Sequence, residues 1–329
     1  MHKTIEDWFN AGHIDHAKKH QALVLAGERA DRRGWFGFIS RVLVLLGLLS
    51  LAVGVVFFFA YNWNDMGHMV KFAMLQSLLV AVVLVYVWKP GNAWVAQALL
   101  LSAVLVLGAL LALFGQTYQT GADPWQLFAT WAVLILPVVL FGRSEALWLF
   151  WLALMNTALA LYFDVNRNLL GLMFTSRHKI WAYLVLNGLV WIMIDWLCHA
   201  QKQPKWLGLS HRWAAQVSGL VVIYLLVLVG LEGIWGYRVS HGVFTLIFLI
   251  MMAAVYGFLR YLRKDLLLLT AWAFGVTVYI LCALGEAILG DLDASGLLIL
   301  ALLLIAMTTA TVSWIRKLSH TFKQEASHE

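Results

Sequence analysis

Charge is what this sequence has least of. Only 12% of its 329 residues are Asp, Glu, Lys or Arg, about half the share in an ordinary soluble domain, so there is too little polar side chain to coat a surface in water. Proline is scarce, with 4 residues, and cysteine scarcer, with 2, which excludes a disulfide-stapled scaffold. No HExxH zinc helix, GxSxG nucleophile elbow, P-loop or dinucleotide fingerprint occurs, so the common catalytic chemistries have no sequence signature here. Internal repeats of roughly 20 to 50 residues are missing too.

What is present is hydrocarbon, 62% of the chain, in runs long enough to cross a bilayer, which takes about 20 residues. The runs are 42–60, 70–88, 93–114, 126–142, 144–163, 179–198, 214–236, 242–262, 266–289 and 294–315. Lipid offers no hydrogen-bond partner, so each run must satisfy its own backbone as a helix. The expected fold is an all-α integral membrane protein with about ten transmembrane helices. Its least marked boundary is Gly142 to Ser144, and Pro137 falls inside the preceding run.

Cytoplasmic segments accumulate Lys and Arg. With the N-terminus inside, the cytoplasmic face holds all 23 of these residues except Lys71, Arg167, Arg177, Lys179 and Arg238. That asymmetry predicts both termini in the cytoplasm and agrees with an even number of spans. It also accounts for the +6 net charge with no nucleic-acid partner. Cys198 and Cys282 then lie toward opposite faces, too far apart for a disulfide. No cleaved signal peptide is expected, because the first apolar run follows about forty mixed residues, longer than a signal's usual 15 to 30.

Three regions result: a cytoplasmic helical region at 1–34, a polytopic membrane domain at 35–317 and a cytoplasmic tail at 318–329. In the first, Thr4 and Asp7 resemble a capping box, Ile5, Trp8 and Phe9 share a face, Gly12 stops the helix, and a second helix runs from about Asp15 to Leu25. His13, His16 and His20 also share a helical face, but without cysteines or a fixed loop they read as a solvated basic face, and no metal or cofactor is expected. Trp63, Trp125, Trp181 and Trp235 at outer ends, with Trp88, Trp94, Trp196 and Trp213 at inner ends, read as interface anchors. Gly47, Ser50 and Gly54 on the first span, and Gly230, Gly233 and Gly236 on the seventh, are small-residue faces that permit close helix packing. In the loop at 164–178, LLGLMF is too short to span and reads as interfacial or re-entrant.

Carboxylates at membrane depth are costly, so each must face something. Glu232 and Glu286 lie one to two turns below the outer surface, and Asp65, Asp123, Asp291 and Asp293 lie in outer loops. Asp195, beside Trp196 and His199, reads as an inner-interface residue. The same outer face receives YNWND at 61–65 and the polar stretch LFGQTYQTGADPW at 113–125. Asn62, Trp63, Asp65, Gln116, Tyr118, Gln119, Asp123, Trp125, Glu232 and Glu286 therefore form a candidate ligand-binding vestibule for a small polar molecule. The competing reading is plain turn chemistry, which uses Asn, Asp, Gly and Pro for the same positions.

YNWND after a Gly-rich first span, followed by GQTYQTGADPWQLFATWAVLILPVVLFGRSEALW, resembles the DUF2157 family of bacterial membrane proteins over approximately residues 1–165. The resemblance implies a bacterial inner-membrane protein and importance for Asn62, Trp63, Gln116, Tyr118, Gln119, Gly121, Asp123 and Trp125. It implies no reaction. Three roles remain: a transporter or small-ligand permease, a non-catalytic accessory or scaffold protein meeting a membrane-protein partner in the bilayer, and an intramembrane enzyme using carboxylates. Convergence of the outer carboxylates on a cavity would favour the first or third. An exposed small-residue face on the first or seventh span would favour the second.

Overall fold

A computed structural model describes residues 8–9, 12–15, 18–19, 22–23, 32–61, 67–88, 93–119, 121–166, 168–169, 172–173, 176–199, 212–235, 241–288 and 294–328. Ten helices dominate these residues: α1 Arg32–Tyr61, α2 His68–Trp88, α3 Ala93–Tyr118, α4 Pro124–Phe141, α5 Glu145–Val165, α6 Ser176–His199, α7 Trp213–Trp235, α8 His241–Gly257, α9 Leu266–Ile288 and α10 Ala294–His328. Each contains a stretch long and apolar enough to cross a membrane, that of α8 running on through the π-helical segment Phe258–Arg263. The expected fold class is therefore the observed one, and the ten apolar runs map one to one onto the ten helices.

The boundaries carry local chemistry. At the Gly142 break, Gly142 still donates its N–H to the Val138 carbonyl at 2.8 Å, Arg143 takes a left-handed φ of 50° and Ser144 is extended before α5 begins. Three residues thus suffice to reverse the chain. α4 runs through Pro137 unbroken, and Trp151 Nε1 of α5 donates to the Ala132 carbonyl at 3.0 Å, next to the Val133 carbonyl whose helical donor the proline removes. After α5, Asn168–Leu169 and Leu172–Met173 pair as a minimal antiparallel ladder. In its described part the short apolar loop is thus a small hairpin.

In the N-terminal region, Gly12 N–H bonds the Phe9 carbonyl and His13 N–H the Trp8 carbonyl, both at 3.0 Å, with Gly12 at φ 76°. This is the left-handed stop that glycine permits at a helix end. Thr4, Ile5, Asp7, His16 and His20 lie outside the described residues.

The chain forms two compact units, Met1–Gly121 with Glu325–Glu329, and Ala122–Gln324. The division falls inside the polar stretch 113–125. In the first unit α1 and α2 each pack along α3, and Leu75 meets Val106 and Leu113 in a small apolar cluster. No residue of the Gly34–Leu51 span of α1 is buried, whereas 56% of the α7 span is, which makes α1 a peripheral helix and α7 a central one.

The second unit is built around α7, which packs against α5, α6, α8 and α9. Its glycines set those distances: a Cβ on Gly219 would lie 2.8 Å from Trp191 Nε1, and one on Gly230 2.8 Å from the Phe248 ring. The described part of this span's small-residue face, Gly230 and the buried Gly233, is therefore consumed by internal packing, and Gly236 lies outside the described residues. α10 continues well past its expected end at 315, and Leu318 and Phe322 join the apolar cluster of Val222, Leu226 and Leu259. Arg260 stacks over the Phe322 ring at 4.7 Å.

Candidate functional site

Helix alternation gives the second unit two chemically distinct ends. At one, α4, α6 and α8 start while α5, α7 and α9 finish; Trp125 against Tyr162, with ring centroids 5.2 Å apart, marks it. At the other, Glu145, Asp195, Arg212, Arg263 and Asp265 form a cluster joining five helix ends.

That cluster is built from helix starts. Glu145 opens α5 and its Oε2 accepts the Ala214 N–H at 2.8 Å, which places negative charge at the N-terminus of α7, where the helix dipole favours it. Asp265 precedes α9, and its Oδ1 accepts the N–H groups of Leu267 and Leu268 at 3.1 and 3.2 Å, an N-cap that satisfies two otherwise orphaned donors. Its Oδ2 accepts from Gln216 Nε2 at 3.2 Å and faces Arg212 Nη2 at 3.4 Å. The same Arg212 nitrogen lies 3.9 Å from Asp195 Oδ1, while Arg263 Nε directly contacts Asp195 Oδ2.

All three carboxylates are buried, and both arginines keep part of their side chains in contact with the surroundings. Burying a carboxylate is costly unless cations or N–H donors meet it; here Asp195 meets two arginines, Asp265 meets Arg212 and two backbone N–H groups, and Glu145 meets the Ala214 N–H. Arg263 reaches Asp195 because α8 ends in a π-helical turn, Phe258–Arg263, closed by Lys264 in the left-handed region at φ 48°. The arrangement clamps helix ends together. Glu145 and Asp265 were not singled out in the sequence; Asp195, read there as an inner-interface residue, is 3% exposed at its helix end and faces Arg263 and Arg212, while its neighbour Trp196 turns outward. The available signal was a carboxylate at the start of each of two apolar runs, with Arg212 and Arg263 close by in the adjoining loops.

Between the two ends the described core is apolar, with Trp191 and Phe248 beside its aliphatic side chains. Most of its polar groups close on themselves, the buried Trp191 Nε1 excepted. Asn156 and Asn187 bond each other and the carbonyls of Leu152 and Tyr183, and the Ser218 and Thr277 hydroxyls bond carbonyls of their own helices.

The sequence-predicted site residues divide between the units. Asn62, Trp63 and Asp65 lie outside the described residues. Gln116, Tyr118 and Gln119 close the first unit: Tyr118 stacks on Phe114 at 4.7 Å, and Gln119 takes a left-handed φ of 44° at the helix end. Gly121 at φ 65°, Asp123 at the N-cap position and Pro124 at the first turn then start α4. Much of the distinctive spelling at 119–124 is thus spent on turning the chain. Asp123, Trp125, Glu232 and Glu286 share the Trp125 end of the second unit on three different helices and a helix cap, with Glu232 half-buried and Glu286 exposed. Among the described residues no group of three or more His, Cys, Asp or Glu could hold a metal ion.

Ten apolar helices, with buried charge confined to helix ends, define a polytopic α-helical membrane protein. Residues 6–148 match the family described as Predicted membrane protein (DUF2157), which agrees with the resemblance carried by YNWND and GQTYQTGADPW. Neither a curated protein nor a solved structure matches the chain.

Proposed function

We propose that the protein is a non-catalytic accessory or scaffold protein of a bacterial inner membrane, which receives a transmembrane helix of another membrane protein between α1 and α2. The observation that carries this reading is the groove between them. It measures about 860 Å³ and is lined by Ser50, Gly54, Ala73, Ser77 and Ala81 among larger apolar residues. A helix about 10 Å across with a 5.4 Å pitch fills roughly 400 Å³ per turn, so the groove has room for about two turns. Small residues let backbones approach, and serine hydroxyls bond across helices in lipid. A Cβ on Gly47 or Gly54 would meet nothing within 4 Å, so this small-residue face, unlike Gly230 of α7, is left open by the described residues.

The test is a photo-crosslinking residue in place of Ser77, with Gly54→Leu as the groove-filling control. A discrete adduct with another membrane polypeptide, lost on Gly54→Leu, is the expected result. Adducts with lipid alone, or an adduct indifferent to Gly54→Leu, would overturn the reading. Cytoplasmic termini, with 1–34 and 318–329 as cytoplasmic flanks, belong to the same proposal and are supported by the Lys and Arg asymmetry.

One observation favours a permease as the second reading. Asp123, Trp125, Glu232 and Glu286 share an end of the second unit while a charge cluster clamps the opposite end, as an outer vestibule above a closed inner gate would require. The apolar layer between them, whose asparagines bond each other and whose hydroxyls bond their own helices, stands against it. Ligand-induced thermal stabilisation that disappears on Glu232→Gln would favour this reading, and its persistence in that variant would remove it.

A further inference from the structure

A second groove lies in the other unit, between α4 and α6 with α5 as its floor. It measures about 650 Å³, and its walls are Ala129, Ala158, Leu159, Ala182 and Leu186. Apolar throughout that length, it changes character at the Trp125 end, where Trp125 and Tyr162 close it.

Two polar groups there ask for the same occupant. Trp125 Nε1 is buried and has no hydrogen-bond partner among the described residues, which is costly for an N–H donor in an apolar setting unless something supplies an acceptor. Lys179 stands three residues before Ala182 and seven before Leu186, on the face of α6 that lines the groove. Its ammonium reaches an exposed Asp164 only at 3.7 Å and lies 5.9 Å from the Phe163 ring. Phe163 touches Tyr162, which touches Trp125, so donor and cation sit on one aromatic rim.

We propose that this groove binds one phospholipid, with an acyl chain between α4 and α6 and a phosphate or ester oxygen held by Trp125 Nε1 and Lys179. The charge and the donor are complementary to an anionic headgroup. The eight residues from Met155 to Tyr162 along the floor span about 10 Å at 1.5 Å per residue, within the roughly 15 Å of a single leaflet's hydrocarbon. Tryptophan and tyrosine at that level match the depth at which acyl chains meet headgroups. The inference is independent of the α1–α2 reading, which concerns the other unit.

The test uses the full chain purified in mild detergent, stripped of lipid and offered dioleoylphosphatidylglycerol or dioleoylglycerol, with retention read by native mass spectrometry. One phospholipid per chain should persist under activation that removes the rest, and dioleoylglycerol should not. Trp125→Phe, which keeps the ring and loses the donor, should weaken retention about three- to ten-fold, and Lys179→Gln should act in the same direction. Ala182→Leu, which fills the groove, should abolish retention, with an unchanged melting temperature of Trp125→Phe serving as the folding control. Equal retention by wild type and Trp125→Phe, or equal retention of dioleoylglycerol, would mean annular lipid only and would overturn the proposal.

Discussion

Asn156 and Asn187 bond each other in both directions across α5 and α6: Asn187 Nδ2 donates to Asn156 Oδ1 at 2.8 Å, and Asn156 Nδ2 donates to Asn187 Oδ1 at 3.1 Å. Each amide also donates to a carbonyl one turn back in its own helix. Side-chain hydrogen bonds between membrane helices contribute about 0.6 kcal/mol on average and up to about 1.7. Asn187→Leu alone should lower stability by about 1–2 kcal/mol, because it strands the partner amide in hydrocarbon. A double-mutant cycle with Asn156→Leu should return a favourable coupling near the upper end of that range. Additive losses would show that the pair is not a unit.

Asp195 answers to two arginines, so its neutralisation leaves charge on both uncompensated. Asp195→Asn should cost about 3 kcal/mol, read as a lower midpoint of denaturation in detergent. Arg263→Lys, which keeps the charge but loses the planar fork, should cost less. Equal losses in the two variants would place the effect in packing and not in charge.

Glycines on the two small-residue faces should respond oppositely. Gly230→Ala drives a Cβ to 2.8 Å from the Phe248 ring, and overpacking of this kind costs about 1–3 kcal/mol. Gly54→Ala meets nothing within 4 Å and should be neutral or stabilising by up to about 1 kcal/mol from helix propensity. Thermal melts of the two purified variants compare them directly.

Orientation is open to a fusion test. Green fluorescent protein placed after Glu329 should fluoresce, and alkaline phosphatase placed at Asn166 should be active, if the Lys and Arg asymmetry governs insertion. The inverse pattern would reverse the topology and the leaflet to which the Trp125 end belongs.

The helices were legible because membrane insertion reads the same hydrocarbon runs that a reader of the sequence does. Their ends were less so. Past residue 315 hydropathy falls at Arg316 and Lys317, yet α10 continues, because Leu318 and Phe322 recur at helical spacing and find an apolar cluster. Hydropathy sees the polarity and misses the period. The clamp was hidden for a related reason: Glu145 and Asp265 stand where any interfacial carboxylate would stand, and only the approach of Ala214, Arg212 and Gln216 from other helices buries them. The polar stretch at 113–125 was located correctly as a connection between spans, but its glycine, aspartate and proline also answer to the turn between two compact units.

The π-helical turn Phe258–Arg263 makes the length of α8 a rotational setting. Each residue of an α-helix turns the chain by about 100°, and a π turn accommodates one residue more than an α turn. Deleting a single residue there would do more than shorten the helix by about 1.5 Å. It would let the turn relax to α with Arg263 near its present bearing toward Asp195, whereas the same deletion upstream, in the α-helical part, would rotate everything beyond it by about 100°. The clamp therefore tolerates the loss of one residue at this turn, a tolerance that the rest of α8 lacks.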